Sequence, residues 1–477
     1  MPASPPSRRA IVITRLAWTI VVVAFVVGVI GALYRAHEGR PDWGDLQKEA
    51  RYVWQCGHTA PGTAMFGYLP TTTFALWPFM VWSGWPVGAI LFVLSNVLAG
   101  IGTIRIVWRH WLHPSPTADI YAWPVLLVSV NLAHAIQANQ MTMWTLFLCV
   151  AGLALVERRS RTGRLGGGVL LGLAALIKTL PILLAGYLLL RRRWLALAGM
   201  AVAFALFDTL PSVAFFGWDG ALDEHRAWLR RAEWHSNERQ LDDPLLRVHR
   251  HGSNSSYSAV LARWLRPISN AQRQVILYGD PPAEVVASYR AALAPDEILT
   301  LDPMPPREGA WSVRRVAIDE VPRFHIAELP TGVLWWIWAS TLAAGFLTLC
   351  WLTWRTAGSS AAWPAVAALW LLAMFWPSPM ARHYYLTWAF PALAVVWAAL
   401  DRAVRQRRTG ATISLRLPVV ALIGWGIGLA CIGWRLPRWY GIHLAVLVLL
   451  MAAVAWAGVQ LSRGKSESCE EVQAIEP

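Results

Sequence analysis

Apolar runs long enough to cross a bilayer recur along nearly the whole chain, separated by arginine-rich turns. The first extends from about Ile11 to Leu33. Others cover roughly 66–83, 86–108, 120–136, 141–157, 166–190, 194–217, 331–353, 361–377, 384–400, 413–433 and 438–461. A helical span needs about 20 such residues, so the pattern specifies an all-α polytopic membrane protein of about 11–12 segments. Composition agrees: of 477 residues, 56% are hydrophobic and 15% charged, against about 25% charged in soluble domains. A water-soluble enzyme is excluded. The 30 tryptophans, many flanking apolar runs, suit interfacial belts.

Charge fixes an expected orientation. Of 42 basic residues only Lys48, Lys178 and Lys465 are lysine, and the net charge is +14. This arginine bias is read as the mark of a GC-rich genome, with no nucleic-acid partner expected, and the placement of the arginines is the topology signal. Arg8, Arg9 and Arg15 precede or open the first run, which has no small-residue cleavage site, so it reads as an anchor with the N-terminus cytoplasmic. The stretch 35–65 then lies outside. Arg158, Arg159, Arg161 and Arg164 mark one inside loop, Arg191–Arg193 a second, and Arg402, Arg405, Arg407 and Arg408 a third. The four runs between 66 and 157 must make an odd number of crossings, so 66–83 or 120–136 is partial.

The run 166–190 lies between two of these arginine clusters yet is too short to cross twice. A broken, re-entrant pair split near Lys178-Thr179-Leu180-Pro181 resolves this, because proline removes a helix donor and lysine is costly in hydrocarbon. The expected domains are a membrane module (1–217), an extracytoplasmic loop domain (218–330), C-terminal membrane helices (331–461) and a cytoplasmic tail (462–477). Within the loop domain, a helix-like Pro282–Leu293 and a strand-like Ser312–Ile318 make 268–330 a small α/β insert.

Several reactive groups then fall on the outside face. Asp42 and Asp45 follow the first helix; a carboxylate at the bilayer rim can serve as a general base, although a solvated loop or helix cap uses the same residues. Tyr68-Leu69-Pro70-Thr71 opens the next run, where proline is also ordinary helix-start chemistry. Asn139 and Gln140 suit sugar hydroxyls or capping. Lys178 needs a partner such as phosphate, or else snorkels to the inner surface. Arg382, His383, Tyr384 and Tyr385 close a short outside turn begun at Pro377; they suit a phosphate and a sugar, or an interfacial anchor. His249 and His251, with Asp242 and Asp243, lack a metal-site spacing, and the five cysteines form no CxxC. No metal or cofactor is expected.

Together these pieces resemble the GT-C class of membrane glycosyltransferases, and more closely glycosyltransferase family 87, the polyprenyl-phosphate-mannose-dependent group. The best stretch is Arg158 to Trp194: a basic turn, then Gly172-Leu173-Ala174-Ala175-Leu176-Ile177-Lys178-Thr179-Leu180-Pro181, then Tyr187-Leu188-Leu189 and Arg191-Arg192-Arg193-Trp194. In the expected order stand Asp42-Trp43, Tyr68-Leu69-Pro70, Asn139-Gln140-Met141-Thr142, Asn254-Ser255-Ser256 and the turn Pro377–Tyr385. Leu69, Asn139, Thr142 and Ser255 depart from the family's residues.

The resemblance implies transfer of a hexose such as mannose, with inversion, from a polyprenyl-phosphate donor to a glycolipid or glycan acceptor at the outer face of a bacterial plasma membrane. Asp42 is the implied base, with Asp45 second. Arg382 and His383 would hold the leaving phosphate, Tyr384 and Tyr68 the sugar or lipid neck, and Gln140, Asn254 and Lys178 would complete the donor site. A lipid or glycan transporter is the competing class, since a buried lysine in a broken helix could line a path; a non-catalytic envelope scaffold is the third.

Overall fold

The structure is a computed structural model describing residues 8–38, 43–57, 69, 71–82, 86–112, 118–158, 160–234, 241, 256–266, 273–279, 281–302, 311–317, 326–378, 383–408, 410, 412–433 and 441–473. It is a helical membrane bundle with one small sheet. Among the described residues six helices are long and apolar enough to cross a membrane, and four shorter apolar helices accompany them. The protein is a multi-pass membrane protein.

The first half comprises α1 (Arg8–His37), α2 (Trp43–Cys56), α3 (Thr72–Trp77, extended by a π-turn to Trp82), α4 (Val87–Ile106, extended likewise to Trp111) and α5 (Ala118–Gln137). It continues with α6 (Thr142–Val156), α7 (Arg161–Ile177), a 3-10 turn (Leu180–Leu183), α8 (Leu184–Leu190), α9 (Trp194–Phe204, with a π-turn to Thr209) and α10 (Leu210–Trp234). The 11 residues Thr72–Trp82 rise only about 16 Å, half a bilayer core. This stretch is too short to span, whereas Val87–Trp111 is long and apolar enough to cross. Valines and isoleucines on α1 are exposed along its length, as lipid contact requires.

Three legs of similar length start from one basal clip. At the end of α6, Glu157 accepts from Arg191 Nε at 3.0 Å, from the Tyr187 hydroxyl at 2.8 Å and from Arg193. Arg191 also donates to the carbonyls of Thr356 at 3.2 Å and Ser359 at 3.4 Å. From this clip α6 rises 15 residues to Thr142, α7 rises 17 residues to Lys178, and the chain from Trp194 rises a similar length to Asp208. At 1.5 Å per residue each leg ends about 22–25 Å above the clip, close to the opposite face of a core about 30 Å thick.

Small residues let α7 lie against its neighbours. A Cβ on Gly168 would stand 1.9 Å from the carbonyl oxygen of Ala196, and one on Gly199 2.2 Å from that of Leu165. Such seams allow the close backbone approach from which helix association in lipid gains its packing energy.

Beyond α10 come α11 (Tyr257–Leu265), β1 (Arg273–Gly279), α12 (Ala283–Ala291), β2 (Glu297–Asp302) and β3 (Trp311–Ala317). The sheet order is β2-β1-β3, with β1 parallel to β2 across α12 and antiparallel to β3. Val275, Ile276 and Leu277 of central β1 are buried. The expected α/β insert is present, with two more strands than the local pattern revealed.

The C-terminal part comprises α13 (Thr331–Arg355), α14 (Trp363–Ala373), a 3-10 segment (His383–Ala389), α15 (Phe390–Arg408), α16 (Arg416–Ala430) and α17 (Ile442–Gln473). Tyr257 of α11 hydrogen-bonds Thr341 of α13 at 2.6 Å, joining α11 to the bundle. The run 361–377, read from sequence as a full span, is instead an 11-residue helix with every residue buried. Protein surrounds it, so it need not match the bilayer. The helix of α17 continues to Gln473, so most of the tail 462–477 extends the last helix.

Candidate functional site

The α7 leg ends where Lys178 leaves the helical conformation (φ −137°, ψ 125°), two residues before the 3-10 turn that contains Pro181. Pro181 cannot donate to the carbonyl of Ile177 and its ring crowds that oxygen, so the helix cannot run on through it. The break was expected here; the height of Lys178 was open. It sits at the end far from the arginine clip, which removes the snorkelling alternative.

Lys178 is buried, at 5% exposure. Its Nζ donates to the hydroxyl of Thr142 at 3.1 Å and to that of Tyr385 at 2.9 Å, and lies 4.1 Å from the Tyr385 ring centroid. Three separate motifs meet at this amine: the helix break, the start of α6, and the 3-10 segment after the late turn. A buried ammonium with two hydroxyls can receive an anion, because hydrogen bonds to charged groups are stronger than neutral ones.

The amide pair divides. Asn139 takes up a left-handed conformation (φ 51°) and its Nδ2 donates to Ala32 O of α1 at 2.9 Å. It locks the α5–α6 turn to α1. Gln140 is buried two residues from Thr142. Neither caps α6, whose N-cap is Met141 without a side-chain bond.

Consecutive threonines tie the start of α3 into the same region. Thr72 donates to Leu176 O at 3.0 Å, two residues before Lys178. Thr71 donates to Asp208 Oδ1 at 2.7 Å, and His225 Nε2 lies 3.2 Å from Asp208 Oδ2. Sequence reasoning missed Asp208 and His225. The signal for Asp208 was available: it is the only charged residue in 194–216, the same expense that singled out Lys178.

Asp42, Tyr68, Asn254 and Arg382 lie outside the described residues, as do the side chains of Asp45, His383 and Tyr384. Their backbone surroundings are informative. Asp45 stands in the first turn of α2, one residue before Leu46, which is buried in a cluster with Met141, Leu76 and Ile177. His383 and Tyr384 begin the 3-10 segment whose third residue is Tyr385. The starts of α2, α3 and α6, the α7 break and the late 3-10 segment thus converge at one end of the bundle. His249, His251, Asp242 and Asp243 also fall outside the described residues. Among the described residues no three His, Cys, Asp or Glu side chains group as metal ligands.

No curated protein matches the chain. A crystal structure of ArnT from Cupriavidus metallidurans bound to undecaprenyl phosphate is similar at 14% identity, covering 95% of this chain and 79% of that one, with a TM-score of 0.36. Residues 66–294, which carry Gln140, Thr142, Lys178, Asp208 and His225, are similar to the model of glycosyltransferase family 87.

Proposed function

We propose that this protein transfers a hexose such as mannose from a polyprenyl-phosphate donor to a glycolipid or glycan acceptor at the extracytoplasmic face of a bacterial plasma membrane. The observation that carries this reading is the Lys178 ammonium at the α7 break, with Thr142 and Tyr385 bonded to it. An isoprenoid chain stays in the bilayer while its phosphate seeks a cation near the membrane rim. Lys178 supplies a cation at that height, and Arg382 and His383, on the same turn as Tyr385, would complete the phosphate site. Tyr68 and Tyr384 would flank the sugar or the lipid neck, with Gln140 and Asn254 toward sugar hydroxyls.

In this mechanism the acceptor oxygen attacks the anomeric carbon from the face opposite the phosphate. The bond from that carbon to the phosphate oxygen breaks and takes its electron pair, so polyprenyl phosphate leaves and configuration inverts. The acceptor's proton passes to Asp42, with Asp45 as second choice. General bases of this kind contribute about 10²–10⁴-fold. No metal is assigned a role.

The test is to incubate purified protein in nanodiscs with a panel of radiolabelled polyprenyl-phosphate sugars and extracted envelope glycans. Label moving from lipid to glycan supports the reading. Label that crosses a sealed vesicle membrane without changing carrier would favour a transporter and end it.

A further inference from the structure

The reaction outlined above leaves Asp208 and His225 without a task, yet their arrangement is costly to build. Asp208 is 7% exposed in an otherwise uncharged span. A continuous helix would set it about 25 Å from a residue 17 positions on, whereas His225 Nε2 lies 3.2 Å from its Oδ2 and 3.3 Å from its Oδ1. The chain reverses at Gly217, whose φ of 71° and ψ of 172° are open to glycine and strained for other residues. The contact therefore exists only because the second half of α10 folds back over the first.

Hydrogen-bond logic fixes the proton count. His225 Nδ1 lies 2.8 Å from the carbonyl oxygen of Ala221, which can only accept, so Nδ1 carries a proton. Nε2 faces a carboxylate, so the pair holds one more proton, on the ring or on Asp208. Either way the pair is neutral overall, which suits its burial. The remaining partner is Thr71, whose hydroxyl donates to Oδ1 at 2.7 Å. Its neighbour Thr72 is held by Leu176 O at the edge of the Lys178 break.

We infer that Asp208 and His225 are a positioning pair for the donor site: they grip Thr71 and so hold the segment that follows Tyr68 against the Leu176–Lys178 break. This rests on the transfer reaction proposed above. The two threonines act as adjacent pegs. Losing the Asp208 peg leaves the segment fastened on one side only, so donor affinity suffers more than the chemical step.

An asparagine at 208 discriminates positioning from other roles. Its Oδ1 can still accept from Thr71, and its amide can donate to the bare Nε2 of a neutral His225. We expect Asp208→Ala, His225→Ala and Thr71→Val each to raise KM for the radiolabelled polyprenyl-phosphate hexose that the wild type uses by about tenfold or more, the scale of a lost hydrogen bond to a charged group, with kcat within about threefold. Asp208→Asn should keep KM near that of the wild type. Hydrogen exchange at the Thr72–Phe74 amides should quicken in the alanine variants and not in Asp208→Asn.

A wild type that moves no sugar ends the functional reading and this inference with it. A wild type that transfers, with donor KM unchanged in Thr71→Val and His225→Ala, ends the inference alone. Loss of kcat by about a hundredfold in Asp208→Asn at unchanged KM would make Asp208 an acid or base and overturn the positioning role. If Asp208→Ala does not fold, Thr71→Val, which removes only a hydroxyl, decides the matter.

Discussion

The Lys178 ammonium donates to the Tyr385 hydroxyl at 2.9 Å across 207 positions of sequence. This bond joins the break after α7 to the 3-10 segment after the late turn. The chain leaves the clip at Thr356 and Ser359, which accept from Arg191, and reaches Lys178 by way of the 11-residue buried helix α14.

Replacing Lys178 by Met should raise the donor KM by about ten- to a hundredfold, the loss of a charge-assisted hydrogen bond of about 1.5–3 kcal/mol. Thermal unfolding in detergent should not be lowered, since replacing a buried charge with an apolar side chain of similar volume is often neutral or stabilising. Tyr385→Phe should raise KM less, and the double variant should be less impaired than the sum of the two. Steady-state kinetics on the four proteins checks the coupling.

Asp42→Asn should lower kcat by about 10²–10⁴-fold at wild-type expression. Asp45→Asn should cost less than tenfold on the same principle of one base per transfer. Reversal of that order in a transfer assay would move the base to Asp45.

Glu157→Gln should be a stability variant. Arg191 beneath it is 1% exposed at its side chain and Glu157 is 6% exposed, and breaking a buried pair from one side costs about 3–5 kcal/mol. A lowered unfolding midpoint with donor KM unchanged in the folded fraction is the expected result. The clip lies about 22–25 Å from Lys178.

Gly168 and Gly166 are neighbours on α7 with opposite expectations. Alanine at 168 meets the backbone oxygen of Ala196 and must push α9 away, costing about 1–3 kcal/mol. Alanine at 166 meets nothing within 4 Å and should be neutral, or stabilising by up to about 1 kcal/mol through helix propensity. Thermal unfolding of the two proteins makes the comparison.

Cys56 is exposed at the end of α2, on the stretch between α1 and α3 that positive-inside bookkeeping puts outside. In a variant with the other cysteines changed to serine, a membrane-impermeant maleimide should label it in intact spheroplasts. Labelling only after lysis would invert the proposed orientation.

Most of the apolar helices and the break at Lys178 could be read from local residues. Each follows from the cost of moving one segment into hydrocarbon, and that cost depends on the segment's own composition. Proline after Lys178 and arginines on both sides of 166–190 were enough to require a re-entrant break. The partner of Lys178 was not legible, because Tyr385 is remote in sequence and tyrosines at membrane rims commonly serve as anchors. The contact between Asp208 and His225 was hidden for a related reason: it depends on one glycine reversing a helix.

Sequence alone therefore determined that the chain lies in a membrane, where it breaks, and that Lys178 is too expensive there to be idle. Tertiary structure alone decided that Lys178 stands at the end opposite the arginine clip, that Thr142 and Tyr385 meet it, and that Asp208 reaches Thr71 and His225. The physical reason is that partition into lipid is summed residue by residue along the chain. A hydrogen bond between distant segments exists only after packing has set their relative heights.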